Sequence, residues 1–195
     1  MQNYFYSSIA GIALIVHLII NWRQLVNWRN AKLRTAGFEF RVFIVSLLFF
    51  FATDVMWGII SELKRPRLLY ADTVLFFLTM AFSCLAWARC VFTYLQLSRL
   101  PRNCLLWSGR ILLALFVAAL VINGFTENFF FNISPQGEYT AGPVRKLALI
   151  LLIAFNALGS IVTLFKLLHA DKLHRQRNQM EIGRASCRER VLPTV

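Results

Sequence analysis

Hydrophobic residues occur along this chain in five long runs, and most charged residues fall in the short loops between them. A helix that crosses a membrane needs about 20 mainly apolar residues, because each residue advances it by about 1.5 Å through about 30 Å of hydrocarbon. The runs that meet or approach this length are residues 4–22, 42–60, 72–97, 111–131 and 147–168. The pattern therefore predicts an all-α fold, a polytopic transmembrane helical bundle with five spans within residues 1–180.

Composition supports a membrane-embedded chain. Hydrophobic residues make up 58% of the 195 residues and charged residues only 15%, so a soluble globule would expose too much apolar surface. We expect the lipid bilayer to be the main partner. The formal net charge of +12 could suit nucleic acid, but the basic residues lie in loops beside the spans and form no basic helix face. Nucleic-acid binding is therefore not expected.

The distribution of Lys and Arg predicts the orientation, since these residues are retained on the cytoplasmic side. They concentrate in the first and third loops and after the fifth span, at positions 23, 29, 32, 34, 41, 99, 102, 110, 166, 172, 175 and 177. We therefore expect the N-terminus outside and the C-terminus in the cytoplasm, although Lys64, Arg65 and Arg67 in the second loop run against this pattern. The first segment lacks a basic n-region and a small-residue cleavage site, which indicates a retained span.

Two acidic residues in the predicted spans are candidates for a functional role, because an ionised side chain in hydrocarbon is costly. Asp54 would serve either as a ligand-binding or proton-sensing carboxylate in an outward-facing pocket, or as a hydrogen-bonding group that fixes helix packing. Asp72 opens the predicted third span, where capping of the helix is the favoured interpretation. Arg89, farther along that span, is expected to reach the cytoplasmic headgroups.

The start of the fifth span places two cations, Arg145 and Lys146, at the positive end of a helix dipole. This placement indicates either an anionic partner or two solvated cations at headgroup level. We predict an outward-facing polar cluster in which Asp54 meets Arg145, Tyr70 or Asp72. These four residues are our candidate contacts for a small extracellular ligand.

The sequence contains no catalytic or metal-binding motif. Cys84 and Cys90 are interpreted as packing residues. No second metal-binding residue lies four residues from His17. We expect no cofactor, no metal and no enzymatic activity in this chain. Three consecutive phenylalanines, Phe129 to Phe131, interrupt a polar loop, which places that loop either on the membrane interface or over the mouth of the bundle.

Three segments near these candidate residues read FATDVMWGI at 51–59, LYADTVLFF at 69–77 and EYTAGPVR at 138–145. Together they resemble the N-terminal membrane region of bacterial GGDEF-domain diguanylate cyclases, and the likeness covers most of residues 1–180. The resemblance implies a sensory region in the bacterial inner membrane. In the intact parent, an expected homodimer, this region would precede a cytoplasmic signalling helix and a cyclase domain that makes cyclic di-GMP from GTP.

The chain departs from that family pattern in two respects. It has fewer spans than such a region, and it contains no Gly-Gly-Asp-Glu-Phe sequence, so no catalytic residue is carried over. Residues 181–191 resemble the translation of a common sequencing adapter, and we expect residues 181–195 to be a non-native tail on a truncated protein. We therefore predict the sensory input region of a signalling protein. The alternatives are a fragment of a small-solute transporter or channel, and the sensor region of a histidine kinase.

Overall fold

A computed structural model describes residues 2–26, 35–95, 99–126 and 128–189, with side chains for 7–26, 35–95, 100–126 and 128–168. Within these ranges five helices are long and apolar enough to cross a membrane. The predicted all-α, multi-pass architecture is therefore confirmed. The elements in chain order are α1 (Gln2–Val26), α2 (Ala36–Glu62), α3 (Pro66–Tyr94), α4 (Arg99–Asn123), β1 (Phe131–Ile133), β2 (Tyr139–Ala141) and α5 (Pro143–Glu189).

The chain divides into two compact units, Met1–Ala157 and Leu158–Val195. The first unit contains α1 to α4, the two strands and the beginning of α5, and the second contains the rest of that helix. In the first unit α2 packs against α1 and α3, and α3 packs against α4. In the second unit the helix exposes large apolar side chains such as Leu164 and Phe165, as expected for a surface in contact with lipid.

Contacts between helices show that successive helices of the first unit run antiparallel, since Trp57 near the end of α2 contacts Thr73 near the start of α3, and Tyr70 near the start of α3 contacts Asn123 at the end of α4. The end of α2, the start of α3, the end of α4 and the start of α5 consequently lie at one end of the bundle, together with the two strands. We refer to this as the hairpin end. The hydroxyl of Ser7 in α1 donates to the carbonyl oxygen of Val55 in α2 at 3.1 Å, so the N-terminal part of α1 also lies toward this end.

The third helix begins earlier than the sequence pattern indicated. Pro66 occupies its first turn and Arg65 the N-cap position, because the fixed φ of proline and its missing N–H suit the start of a helix. The predicted capping role of Asp72 is therefore wrong. This residue lies one and a half turns inside α3, beyond the free backbone N–H groups that a cap would satisfy.

The region predicted as a fourth span at 111–131 also differs in the structure. The helix runs from Arg99 to Asn123, and Phe131 belongs to β1. After Asn123 the backbone tightens, since the amide of Gly124 bonds to the carbonyl of Val121 at 3.0 Å. This tightening is typical of a helix end.

The segment between α4 and α5 forms an antiparallel hairpin of β1 and β2. Phe131 pairs with Ala141 and Ile133 with Tyr139. The connecting turn contains Gly137 with φ of +83°, in the left-handed region that glycine adopts most easily. Its amide donates to the carbonyl oxygen of Ser134 at 2.8 Å.

The core of the first unit lies next to this hairpin. Two of the three consecutive phenylalanines, Phe130 and Phe131, are fully buried. They pack with side chains from α3, α4 and α5, namely Phe77, Ala81, Phe116, Leu120, Ala148 and Leu152. Of the two placements left open for the phenylalanine loop, the structure shows the one in which it folds onto the bundle.

The orientation of the bundle across a membrane stays a prediction. Three of the basic residues on which it depends, at positions 29, 32 and 34, lie outside the described residues, as do residues 190–195 at the end of the predicted tail.

Candidate functional site

A cavity of about 460 Å³ opens at the hairpin end between α1, α2, α3, β2 and α5. Most of its wall is apolar and aromatic, and includes Phe51, Phe76 and Phe77. The polar and aromatic-polar side chains in the wall are Ser7, Asp54, Trp57, Thr73, Tyr139 and Arg145. A concave, largely apolar site with a few polar groups is the usual form of a small-molecule site.

One part of the cavity wall is held by a chain of hydrogen bonds between α2 and α3. The indole Nε1 of Trp57 donates to the hydroxyl of Thr73 at 3.2 Å, and that hydroxyl donates to the carbonyl oxygen of Leu69 at 2.7 Å. The Trp57 ring also meets the Tyr139 ring edge-on, with centroids 6.1 Å apart. This part of the wall is therefore fixed by its own contacts.

Arg145 enters the cavity from the first turn of α5. Its guanidinium carbon lies 5.4 Å from the centroid of the Tyr139 ring and 5.8 Å from that of Phe77, within the range of cation–π attraction. Its Nε atom is buried and has no hydrogen-bond partner in the described part of the chain. Burial raises the pKa of Tyr139, whereas the neighbouring positive charge of Arg145 and a side-chain hydrogen-bonding interaction with Arg145 lower this pKa.

Asp54 lines the same cavity from α2 and is half-buried. Among the residues that the structure describes, no hydrogen bond or ion pair involves its carboxylate. The interhelical hydrogen bond considered for Asp54 is therefore not seen within those residues. The structure brings Asp54 and Arg145 together in one cavity wall, whereas binding of a ligand by them stays a prediction.

The other two candidate residues lie outside the cavity wall. The Tyr70 hydroxyl accepts a hydrogen bond from Nδ2 of Asn123 at 3.4 Å, and the Tyr70 ring packs on Phe131 at 5.0 Å between centroids. Asp72 lies near enough to Asp54 for their charges to interact. Tyr70 thus contacts the hairpin, whereas Asp72 lies outside the cavity wall.

Sequence reasoning missed Asn123, the last residue of α4. Its Oδ1 atom accepts hydrogen bonds from two backbone amides of the hairpin, Phe130 at 2.7 Å and Phe131 at 3.1 Å. Because its Nδ2 atom donates to Tyr70, one side chain links α3, α4 and the hairpin. An amide at the end of an apolar run was the signal that could have revealed it.

Gly142 allows the hairpin to close against the start of α5. A β-carbon at this position would lie 2.6 Å from the carbonyl oxygen of Asn128 and 2.7 Å from that of Phe129. Its own amide donates to the carbonyl oxygen of Phe130 at 2.9 Å. The close approach of these backbone segments therefore requires glycine.

A partly buried ion pair lies at the opposite end of the first unit. Arg89 of α3 donates to Glu39 of α2 at 2.7 Å, and the Glu39 side chain is only 6% exposed. Arg89, which we expected to reach toward the headgroups, thus forms an ion pair with an acidic residue that precedes the predicted second span.

No group of three His, Cys, Asp or Glu residues within the described ranges is arranged to hold a metal ion. Cys84, Cys90 and Cys104 are free thiols. In α1, the side-chain amide of Asn21 donates a hydrogen bond to the backbone carbonyl oxygen of His17 at 3.0 Å.

No family model, no curated protein and no solved structure matches this chain. The chain is a multi-pass membrane protein by the length and hydropathy of its helices. Its resemblance to the membrane region of diguanylate cyclases stays a prediction that depends on short motifs.

Proposed function

We propose that this chain is the membrane-embedded sensory input region of a bacterial signalling protein, and that it controls a cytoplasmic diguanylate cyclase domain encoded farther along the same gene. The observation that carries the proposal is the cavity at the hairpin end, which has an acidic and a basic side chain in one largely apolar wall. Such a cavity suits recognition of a small molecule.

The position of Arg145 supports a sensory role for the cavity. It lies in the first turn of α5, while Asp54 lies in α2 and Tyr139 in the hairpin. A ligand that contacts all three would favour one packing of these elements over another, by as much as its affinities for the two packings differ. The start of α5 would then move with occupancy of the cavity.

A transporter or channel is the main alternative. It would need a polar path through several spans or helices broken near the middle of the membrane. Within the described residues the five helices are continuous. At the end of the first unit away from the hairpin, Glu39 and Arg89 neutralise each other in an ion pair. These features favour the sensory proposal.

The decisive experiment is to sequence the intact gene beyond the codon for Met180. We expect further spans followed by a cyclase domain. A histidine kinase domain would keep the sensory role and replace the output, whereas a stop codon directly after additional spans would overturn the proposal in favour of a transporter.

The full parent protein then allows a functional test. Asp54→Asn should change the ligand dependence of cyclic di-GMP synthesis, while Glu62→Gln, at the exposed end of the same helix, should leave it unchanged. The present chain by itself should neither consume GTP nor make cyclic di-GMP. Turnover by this chain would refute the separation of input from output.

A further inference from the structure

We infer that the cavity at the hairpin end binds a zwitterionic small molecule with an apolar body. Its ammonium group would meet Asp54 and its carboxylate would meet Arg145. This inference rests on the proposed sensory function and specifies the chemical class of the ligand.

The first argument is the state of the two charged side chains in the cavity wall. Within the described part of the chain the ion pair joins Glu39 to Arg89, and neither Asp54 nor Arg145 takes part in one. A charge that is half-buried among apolar groups is costly unless a partner compensates it. Each of these two side chains therefore favours an external group of opposite charge.

The second argument is that two neighbouring hydroxyl groups of the wall are already engaged. Ser7 donates to the carbonyl oxygen of Val55, and Thr73 both donates to Leu69 and accepts from Trp57. These groups have little capacity left to stabilise a charged ligand. Among the described residues of the wall, Asp54 and Arg145 are the charged ones, and the buried Nε atom of Arg145 has no hydrogen-bond partner within the same set.

The third argument comes from the apolar surface and the size of the cavity. Phe51 and Phe76 contribute to the wall, while the guanidinium group of Arg145 lies beside the rings of Phe77 and Tyr139. A guanidinium group can bind a carboxylate through two parallel N–H donors. The volume of about 460 Å³ accommodates an organic molecule, and an inorganic ion would leave the apolar wall without a contact.

The test is calorimetric binding to the full chain in lipid nanodiscs, with two sets of matched probes. One set is phenylalanine, phenethylamine and hydrocinnamate, and the other is aminohexanoate, hexylamine and hexanoate. Each set compares a zwitterion with its amine-only and acid-only analogues, and the two zwitterions differ in charge separation. In at least one set the zwitterion should bind more tightly than both analogues by about tenfold or more, because each analogue lacks one of the two charge-assisted contacts.

Variants assign the two charges. Asp54→Asn should abolish the preference for the zwitterion over the acid, and Arg145→Gln the preference over the amine. The exposed neighbours Glu62 and Lys146 provide matched controls, since Glu62→Gln and Lys146→Gln should keep both preferences. Asp54→Glu and Arg145→Lys should retain part of the preference, and circular dichroism of every variant should match that of the parent chain.

The outcomes separate this inference from the sensory function. Equal binding of a singly charged analogue, or zwitterion binding that is unaffected by both charge-removing variants, would overturn the ligand class but leave a sensory cavity. Absence of binding by all six probes to the folded chain would also overturn the ligand class. Tight zwitterion binding together with a parent gene that encodes no output domain would overturn the sensory function alone.

Discussion

Replacement of Asn123 by alanine should release the hairpin from the bundle. The side chain is 6% exposed, and its Oδ1 atom accepts from the amides of Phe130 and Phe131, both in buried surroundings. A buried N–H group left without an acceptor costs about 1–3 kcal/mol. Loss of both bonds in Asn123→Ala should therefore destabilise the docked hairpin by about 2–6 kcal/mol.

Hydrogen–deuterium exchange of the full chain in nanodiscs measures this effect directly. Even the lower value corresponds to about thirtyfold faster exchange through local opening, seen in peptides that cover residues 128–142. Peptides from α3 should keep their protection and serve as an internal reference. Tyr70→Phe removes only the longer 3.4 Å contact, so its effect should be about 1 kcal/mol or less.

Unchanged exchange at 128–142 in Asn123→Ala would refute the assignment of this residue as the anchor of the hairpin. An equally large effect of Tyr70→Phe would show instead that the contact between Asn123 and Tyr70 carries the stability.

Three further predictions concern topology and packing. Cysteines introduced at exposed positions of the loop at 127–138, such as Gln136, should react with an impermeant reagent from outside and those at 27–34 only from inside, and the reverse pattern would overturn the orientation. Gly142→Ala should loosen the hairpin in the exchange assay, because its β-carbon would meet backbone oxygen at 2.6 Å; Gly11→Ala, where the nearest atom is 3.8 Å away, should not. Glu39→Gln should lower stability in a thermal melt by about 1–2 kcal/mol, because it breaks a partly buried ion pair, and an unchanged melt would show that the pair contributes nothing.

The membrane-spanning helices could be predicted from the sequence because lipid imposes a simple requirement of length and apolar composition. Helix ends were harder to locate. Arg99 starts α4 twelve residues before the predicted span, since charged residues at a membrane surface can be helical without being apolar. Phe129 to Phe131 extended the apolar run at the other end, and hydropathy alone does not distinguish a buried loop from the end of a span.

The candidate site was predicted in part. Asp54 and Arg145 were each conspicuous, one as an acid within a span and the other as a cation at an unfavourable helix end, and both line one cavity. Tyr70 does not line this cavity and instead contacts Asn123 and Phe131. The pair of Glu39 and Arg89 escaped notice because its members are 50 residues apart in the sequence, and only the packing of α2 on α3 brings them together.

The position of the hairpin in the sequence determines when the cavity can form. Chains are synthesised from the N-terminus, so α1 to α3 and Asp54 are made before Tyr139 and Arg145, which complete the wall. A nascent chain that has not reached residue 139 presents Phe130 and Phe131 without the second strand. The cavity therefore matures only after α1 to α4 and the hairpin have been made, and a chain interrupted before residue 139 would lack part of its wall.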